Sequence, residues 1–361
     1  MKQNRITRRR LLQTVGASSL IFPFRSQAQG SKKLGVALVG LGYYSRDLLA
    51  PALQHTQYCE LRGIVTGSPG KIPVWQRKYN IEDSNVYNYD TMHRLADNDD
   101  IDVVYVVVPT ALHLKYAAIG ANAGKHIWCE KPMAMNVSEC EEIIRACEKN
   151  KVRLSIGYRM QHEPNTQTVI SYAKTQPYGK IQGLNVSAGY GGSGGPEDYW
   201  RMQKHMGGGA MYDMGVYAVN ASRYATQMEP STITARHHNP VPEVFKEVDP
   251  TTYFDLDFPG GVRAECMTSV IKNENYLQVN AEKGWYGLKP LQSYSGVVGR
   301  TSDGKKLNKF IANQQTVQMD NDALSIMKGS PMLVPGEEGL KDIRIVEAAF
   351  QSAASGKAVS I

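Results

Sequence analysis

Residues 34–45 read L-G-V-A-L-V-G-L-G-Y-Y-S, a short aliphatic run that ends in two closely spaced glycines. The run predicts a buried strand, and the residues after it predict the start of a helix. Gly40 and Gly42 stand where the backbone must turn sharply and approach a phosphate group at a helix N terminus, with Ser45 in the place of the usual third glycine. The stretch predicts the first unit of a nucleotide-binding fold, although a simple tight turn would also fit the glycines alone.

The same rhythm continues through the first part of the chain. Helical stretches separate further apolar runs, which are E-L-R-G-I-V-T (60–66), I-D-V-V-Y-V-V-V-P (101–109), K-H-I-W-C-E (125–130) and R-L-S-I-G-Y (153–158). Strands that are apolar on both faces imply a parallel sheet with helices on both sides. We therefore expect an N-terminal Rossmann domain, with a doubly wound parallel sheet, over residues 32–157.

The pattern changes after Tyr158. Longer segments rich in Thr, Tyr, Val and Gly follow one another, with turn signals such as P-G-G between them. This pattern is typical of antiparallel strands. It predicts a C-terminal α+β domain over residues 158–361, with a large, mostly antiparallel open sheet.

The first 28 residues differ from the rest of the chain. T-R-R-R-L-L-Q at residues 7–13 precedes an apolar run that is too short and too interrupted to cross a membrane permanently. Arg8 and Arg9, followed by leucines, predict a twin-arginine signal peptide over residues 1–28, cleaved after Ala28. A disordered basic tail is the alternative.

The charge balance excludes two classes of partner. The whole chain has a formal net charge of +7, but six cations and no acidic residue lie in residues 1–28, which leaves +1 for the remainder. No basic patch therefore remains to predict binding of nucleic acid, or of a membrane by the mature form.

The cysteines and histidines do not predict a metal site. The five cysteines lack the spacing of a metal site or a disulfide framework, so we interpret them as buried thiols. His237 and His238 are adjacent in a predicted strand and therefore point to opposite faces, which favours surface positions.

The end of the second predicted strand indicates which dinucleotide would bind. An acidic residue there would bind the ribose hydroxyl of NAD, but the strand continues as T-G-S-P-G-K. Thr66, Gly67 and Ser68 offer hydroxyl and amide donors, and Lys71 offers a cation for a 2′-phosphate. The pattern favours NADP, unless Lys71 is simply a surface lysine.

Two later stretches carry groups suited to proton transfer. Lys131 lies in C-E-K-P at the end of a predicted strand, where a lysine could lower the pKa of a neighbouring acid or form a loop salt bridge. In G-G-G-A-M-Y-D-M-G-V-Y (207–217), Asp213 and Tyr217 are four residues apart and so share a helical face. A tyrosine beside a lysine and an aspartate can take a hydroxyl proton. A tyrosine packed in the core is the alternative.

These stretches together resemble the Gfo/Idh/MocA oxidoreductase family. The resemblance rests on E-K-P, on the G-G-G-x-x-x-D-x-G-x-Y helix, on Y-R-M-Q-H-E-P (158–164) and on P-G-E-E-G-L-K-D-I-R-I-V-E-A (335–348). It covers essentially the whole chain after residue 28. Within the family, the chain is most similar to the periplasmic glucose-fructose oxidoreductase branch.

The resemblance implies roles for individual residues. Lys131 would be the catalytic lysine, Asp213 would orient substrate hydroxyls, and Tyr217 would be the general acid/base where much of the family has histidine. Arg159 would lie near the substrate cleft. The positions expected at the cofactor are Gly40, Leu41, Gly42, Tyr43, Tyr44, Thr66, Gly67, Ser68, Lys71, Pro109, Thr110, His113, Glu130, Lys131, Arg159, Trp200 and Arg201.

The resemblance also implies an activity. A periplasmic enzyme would fold around NADP(H) before export by the twin-arginine machinery and hold it tightly. It would oxidise an aldose at the anomeric carbon to a lactone and pass the hydride to a second sugar. The alternatives are a redox-assisted glycosidase and a catalytically silent sugar or dinucleotide sensor.

One difference from the glucose-fructose enzymes bears on assembly. Those enzymes carry a long proline-rich arm between the signal and the first strand, whereas only residues 29–31 separate the predicted cleavage site from Lys32. The difference favours a homodimer formed through the open sheet of the second domain, with the family's tetramer as the alternative.

Overall fold

The computed structural model describes residues 32–192 and 194–361. The first sheet has six parallel strands in the order β3-β2-β1-β4-β5-β6. Its strands are β1 (Leu34–Val39), β2 (Cys59–Val65), β3 (Val86–Tyr87), β4 (Val103–Val106), β5 (His126–Cys129) and β6 (Leu154–Ile156). This is the doubly wound order, in which the crevice for a ligand opens at the carboxyl ends of the strands where β1 meets β4.

Helices connect and cover the strands of this sheet. They are α1 (Ala50–Leu53), which continues from a π-helical turn at Ser45–Leu49, α2 (Ile72–Tyr79), α3 (His113–Asn122) and α4 (Val137–Lys149). The strands β1 and β4 are buried almost throughout, because helices lie on both faces of the sheet. The predicted parallel Rossmann sheet is confirmed.

The second sheet has nine strands in the order β14-β13-β12-β11-β7-β10-β9-β8-β15. The strands are β7 (Ile181–Gly189), β8 (Thr232–His237), β9 (Thr251–Asp257), β10 (Arg263–Ser269), β11 (Asn275–Ala281), β12 (Gly284–Leu288), β13 (Gly299–Thr301), β14 (Lys306–Leu307) and β15 (Val359–Ser360). Only β7 and β10 pair in parallel among these neighbours. The predicted large, mostly antiparallel sheet is therefore also confirmed.

Four further helices follow β6. They are α5 (Pro164–Thr175), α6 (Val216–Thr226), α7 (Gln314–Lys328) and α8 (Gly336–Ser355). Of these, α5, α6 and α8 contact strands of the second sheet, and all residues of α6 are buried. Buried side chains from both sheets join in one apolar cluster, so the core continues from one sheet to the other.

The helix α7 comes late in the chain but packs on the first sheet. Its residues Met319 and Ala323 belong to the same apolar cluster as Val36 and Leu38 of β1. The carboxylate of Asp320, the residue after Met319, accepts hydrogen bonds from the backbone N–H groups of residues 57 and 58. A segment from the predicted second domain thus completes the covering of the Rossmann sheet.

Three other sequence expectations can be compared with this fold. All five cysteines are buried and unpaired, as expected of structural thiols. Within residues 32–192 and 194–361, no helix is long and apolar enough to cross a membrane. The predicted signal peptide and its cleavage site after Ala28 lie outside the described residues.

Candidate active site

The glycine-rich turn lies between β1 and the first helix. Gly40 has a φ of +92°, and a Cβ there would lie 2.5 Å from the Val107 carbonyl oxygen, so only glycine fits. A Cβ on Gly42 would meet nothing within 4 Å. The Ser45 hydroxyl donates to the Gly40 carbonyl at 2.6 Å, which explains how serine is accepted in place of the third glycine. The protein therefore packs closely against the turn at Gly40, whereas the space next to Gly42 is open.

The end of β2 lies beside this turn. Thr66 is buried and its hydroxyl oxygen accepts the Ser68 N–H, while the Lys71 ammonium group donates to the Leu41 carbonyl at 2.8 Å. Gly67 packs against the Tyr89 ring. A lysine is therefore next to the glycine-rich turn, and no carboxylate occurs in residues 66–71.

The end of β4 supports the neighbouring loop. His113 is buried, and its two ring nitrogens each lie 2.8 Å from a carbonyl oxygen, that of Pro132 and that of Val108. Burial lowers the pKa of His113. The ring has no free nitrogen for a ligand, so His113 joins the end of β4 to the loop after β5. Thr110 is buried against Gly207.

Lys131 follows β5 and reaches toward the start of α6. Its ammonium group donates to the Asp213 carbonyl oxygen at 2.7 Å and lies 3.7 Å from the Asp213 carboxylate. It also lies 4.5 Å from the centre of the Tyr217 ring. Burial lowers the pKa of Lys131, against the attraction of Asp213. Lys131 is thus in contact with both of the other residues predicted to be catalytic.

Asp213 lies in a π-helical turn, Met211–Gly215, that leads directly into α6. The sequence predicts a helix in this segment but not the wider π-helical turn. Turns of this kind often occur at functional sites. One oxygen of the Asp213 carboxylate accepts bonds from Arg201 and Tyr190, each at 3.1 Å. Burial alone would raise the pKa of Asp213, but Arg201 and Lys131 outweigh it and the pKa is lowered. The carboxylate is therefore ionised and fixed.

The Tyr217 hydroxyl is held by a buried arginine. Arg159 donates to this hydroxyl oxygen at 2.5 Å, and its other nitrogen donates to Gln292 at 2.9 Å. Burial raises the pKa of Tyr217, and the Arg159 charge opposes that shift. The cation that bonds to the Tyr217 hydroxyl is Arg159, whereas Lys131 lies over the tyrosine ring. Since the oxygen accepts from Arg159, its own proton is free to be exchanged with a substrate.

Aromatic side chains complete the site, and the sequence had not indicated which ones. Tyr294 stacks on the Arg159 guanidinium at 4.4 Å and lies 5.9 Å from Tyr44. Tyr190, which bonds to Asp213, lies directly after β7. Nothing in the local pattern distinguishes these tyrosines from others, since they arrive from separate loops of the second sheet.

The remaining predicted positions differ in their surroundings. Arg201 stacks on Trp200 at 4.3 Å beside Asp213. Tyr43 is 61% exposed, whereas the Leu41 side chain is buried in the core and offers only its backbone. Pro109 is half-buried at the end of β4.

A dinucleotide fits this set of groups. The open space above Gly42, the helix start after it and Lys71 together suit a pyrophosphate and a further phosphate. Lys131 and Tyr217 lie at the same edge of the sheet, where a nicotinamide would meet a substrate. Among the described residues, no group of three His, Cys, Asp or Glu side chains is placed to hold a metal ion.

Comparisons with known proteins agree with this arrangement. Residues 34–158 match the GFO_IDH_MocA family, described as an oxidoreductase family with an NAD-binding Rossmann fold, and residues 167–287 match the GFO/IDH/MocA C-terminal domain. A crystal structure of aldose-aldose oxidoreductase from Caulobacter crescentus complexed with glycerol is 34% identical. It aligns with a TM-score of 0.87 over 91% of this chain and 100% of that chain.

Two further relatives are more distant. D-xylose 1-dehydrogenase [NADP(+)] from Haloarcula marismortui is 26% identical over 351 residues, which cover 94% of this chain and 96% of the relative. The crystal structure of myo-inositol 2-dehydrogenase from Lactobacillus plantarum shares 19% identity with a TM-score of 0.77, over 91% of this chain and 100% of that one, and shows the fold alone.

Proposed function

Because this chain belongs to the Gfo/Idh/MocA oxidoreductase family, we propose that it is a periplasmic, NADP-dependent sugar oxidoreductase. It oxidises an aldose at the anomeric carbon to a lactone and passes the hydride, through tightly bound NADP(H), to a second sugar. The observation that carries this proposal is the contact of Lys131 with both Asp213 and Tyr217 beside the glycine-rich turn. The aldose-aldose oxidoreductase and the NADP-dependent xylose dehydrogenase among the relatives support the choice of sugars and of NADP.

Side chains of the protein can take up the sugar's hydroxyl proton and stabilise the negative charge that develops on the oxygen. Oxidation removes a hydride from the anomeric carbon and a proton from its hydroxyl, and a bound nicotinamide supplies the hydride acceptor. Tyr217 takes the proton, while Lys131 donates to the developing oxyanion. Asp213 holds Lys131 and offers its remaining carboxylate capacity to a neighbouring sugar hydroxyl. In the reverse transfer to the second sugar, Tyr217 gives its proton to the carbonyl oxygen that is reduced and returns to its deprotonated form.

The choice of NADP rests on the end of β2. Lys71 lies at the glycine-rich turn, and Thr66 and Ser68 provide hydroxyl groups next to it. A cation and hydroxyls suit a 2′-phosphate, whereas the acidic residue typical of NAD sites does not occur there.

The proposed location of the protein outside the cytoplasm requires that it binds its cofactor tightly. The paired arginines in residues 1–28 support export of the folded protein, with NADP already bound. Outside the cytoplasm no nucleotide pool would replace a lost cofactor, so the same molecule must be reduced and reoxidised in turn.

The test begins with the exported protein purified without added nucleotide. Its nicotinamide absorbance and fluorescence are recorded before and after addition of an aldose, and the filtrate is examined for free NADP(H). We expect bound NADP to become NADPH without dissociating, and a second sugar to reverse the change.

Other results would replace the proposal. A protein that arrives empty and reacts only with added NADP would be an ordinary dissociable dehydrogenase. Release of an aglycone from a glycoside without a second sugar would indicate the redox-assisted glycosidase, and inertness toward all aldoses would indicate the sensor.

A further inference from the structure

A row of buried polar side chains crosses the face of the first sheet that α7 covers. Tyr105, Trp128 and Ser155 are paired in register on β4, β5 and β6, so their side chains point to the same face. All three are almost completely buried. A sheet face beneath a helix is usually apolar, so a polar row needs a reason.

The helix α7 presents a second row to the first. Gln318 donates to the Tyr105 hydroxyl at 3.2 Å, and one turn later Asp322 accepts from the Ser155 hydroxyl at 2.9 Å. Both α7 side chains are buried, although Met319 and Ala323 show that the same helix also packs with apolar groups. The amide oxygen of Gln318 has no partner among the described residues. The Gln318 side chain is thus held by the hydrogen bond from its amide nitrogen to Tyr105.

The row ends at the candidate active site. The Tyr105 hydroxyl donates to Glu130 at 2.7 Å, and the other Glu130 oxygen accepts the Lys131 backbone N–H at 3.3 Å. A Cβ on Gly157 would lie 2.6 Å from the Glu130 carboxylate, so this carboxylate is packed directly against the backbone. A chain of contacts therefore leads from α7, through Tyr105 and Glu130, to Lys131.

We propose that Tyr105 and Gln318 are positioning residues that act on Lys131 through Glu130. The inference rests on the proposed function, because the work of Lys131 in sugar oxidation belongs to it. The Tyr105 bond orients the Glu130 carboxylate and favours its ionised form. An ionised Glu130 in turn favours the cationic form of Lys131, which the proposed reaction uses.

The charges around Glu130 support this role. Burial raises the pKa of Glu130, while Tyr105, Lys131 and Arg159 oppose the rise. Removal of the Tyr105 hydroxyl should therefore raise this pKa further. The titratable groups that face Glu130 are Tyr44, Tyr105, Cys129, Lys131, Arg159, Tyr217 and Tyr294.

The test compares Tyr105→Phe, Gln318→Met and the double variant with the wild type. Two matched controls remove buried polar groups that have no hydrogen-bond partner within residues 32–192 and 194–361: Tyr286→Phe, and Gln314→Met on α7 itself. The rate of NADP reduction by an aldose is measured in single turnovers across pH, together with the sugar KM.

We expect the rate in Tyr105→Phe to fall about tenfold at neutral pH, the effect of losing a hydrogen bond to a charged group, with KM little changed. The acid limb of the pH profile should move to higher pH, because Glu130 takes up a proton earlier. Gln318→Met should act in the same direction but less, and the double variant should be no slower than Tyr105→Phe, since both act through one group.

A second measurement uses the protein without cofactor. The ¹³C chemical shift of the Glu130 carboxyl carbon, assigned with Glu130→Gln, is followed against pH. The midpoint should rise in Tyr105→Phe and stay unchanged in both controls.

The possible results distinguish a failure of the positioning role from a failure of the proposed function. An unchanged midpoint in Tyr105→Phe, or an equal rate loss in the controls, overturns the positioning role. If the wild type oxidises no aldose while the midpoint still moves, the proposed function fails and the positioning of Glu130 stands.

Discussion

At the scale of single residues, Tyr217 lies between two cationic side chains. Its hydroxyl oxygen accepts from Arg159 and its ring lies under the Lys131 ammonium group. We predict that Tyr217→Phe lowers the rate of hydride transfer by about a hundred- to ten-thousandfold, the usual contribution of a general acid/base. Stopped-flow absorbance of the nicotinamide measures this rate.

The matched control for this variant is Tyr224→Phe. Tyr224 is also buried and lies seven residues later on the same helix, so removal of its hydroxyl should leave the rate unchanged. Both variants should retain NADP. Unchanged turnover in Tyr217→Phe would remove the tyrosine from the mechanism.

The pH dependence follows from the same tyrosine. Burial raises the pKa of Tyr217 above its ordinary value, so the phenol is protonated at neutral pH. Sugar oxidation needs the deprotonated oxygen, so its single-turnover rate should rise with pH up to that pKa. Reduction of the second sugar needs the phenol, so its rate should stay level below that pKa and fall as the pH passes it. Two half-reactions with the same pH trend would contradict this assignment.

The residues of the candidate site were predictable to different degrees. Lys131, Asp213 and Tyr217 lie in motifs whose residue types and spacing carry chemistry, and the structure brings them together. Tyr190 and Tyr294 were not predictable, because only folding brings their loops over the site. The bond from Arg159 to the Tyr217 hydroxyl was not predictable either, because a sequence gives no distance between residues 159 and 217.

At the scale of elements, the glycine-rich turn offers a matched pair of substitutions. A Cβ at Gly40 would meet the Val107 carbonyl oxygen at a positive φ, whereas one at Gly42 would meet nothing. Gly40→Ala should therefore destabilise the fold by about 1–3 kcal/mol. Gly42→Ala should change the free energy of unfolding by less than about 0.5 kcal/mol but weaken NADP binding.

Urea unfolding and calorimetric titration with NADP separate these two effects. If Gly42→Ala binds NADP as the wild type does, the pyrophosphate does not lie above this turn. If Gly40→Ala is as stable as the wild type, the turn relaxes more easily than its geometry indicates.

The π-helical turn at Met211–Gly215 shows a limit of pattern reasoning at this scale. The sequence indicates a helix, and the helix is present. The extra residue in one turn depends on contacts such as that between Gly215 and the Met211 sulfur, where a Cβ would lie 2.8 Å away. A periodicity of 3.6 residues cannot reveal a single wide turn, because one turn barely changes the pattern.

At the scale of the whole molecule, one face of the second sheet is less buried than the other in the described part of the chain. On β11, Leu277 and Val279 are buried while Tyr276 and Gln278 are half-buried on the other face. We predict a homodimer through this face. Gln278→Lys should convert it to a monomer by placing a charge in the interface, whereas Gln351→Lys on an exposed part of α8 should not. Light scattering after gel filtration measures the mass, and a dimer that survives Gln278→Lys would place the interface elsewhere.

Export is the second prediction at this scale. Arg8 and Arg9 carry the expected twin-arginine signal. Replacing both with lysine should leave the protein in the cytoplasm, with NADP still bound. Cell fractionation and immunoblotting measure its location, and periplasmic protein in the double variant would exclude this route.

The sequence by itself determined the two fold classes, the edge of the sheet where ligands bind and the residue types that do the chemistry. These follow from local rules: strand and helix periodicity, the backbone freedom of Gly40 and the spacing of Asp213 and Tyr217. Only the tertiary structure decided which cation holds the Tyr217 hydroxyl, and that α7 covers the first sheet with Gln318 bonded to Tyr105. These contacts join residues far apart in the chain, and their geometry depends on how the whole core packs rather than on any local pattern.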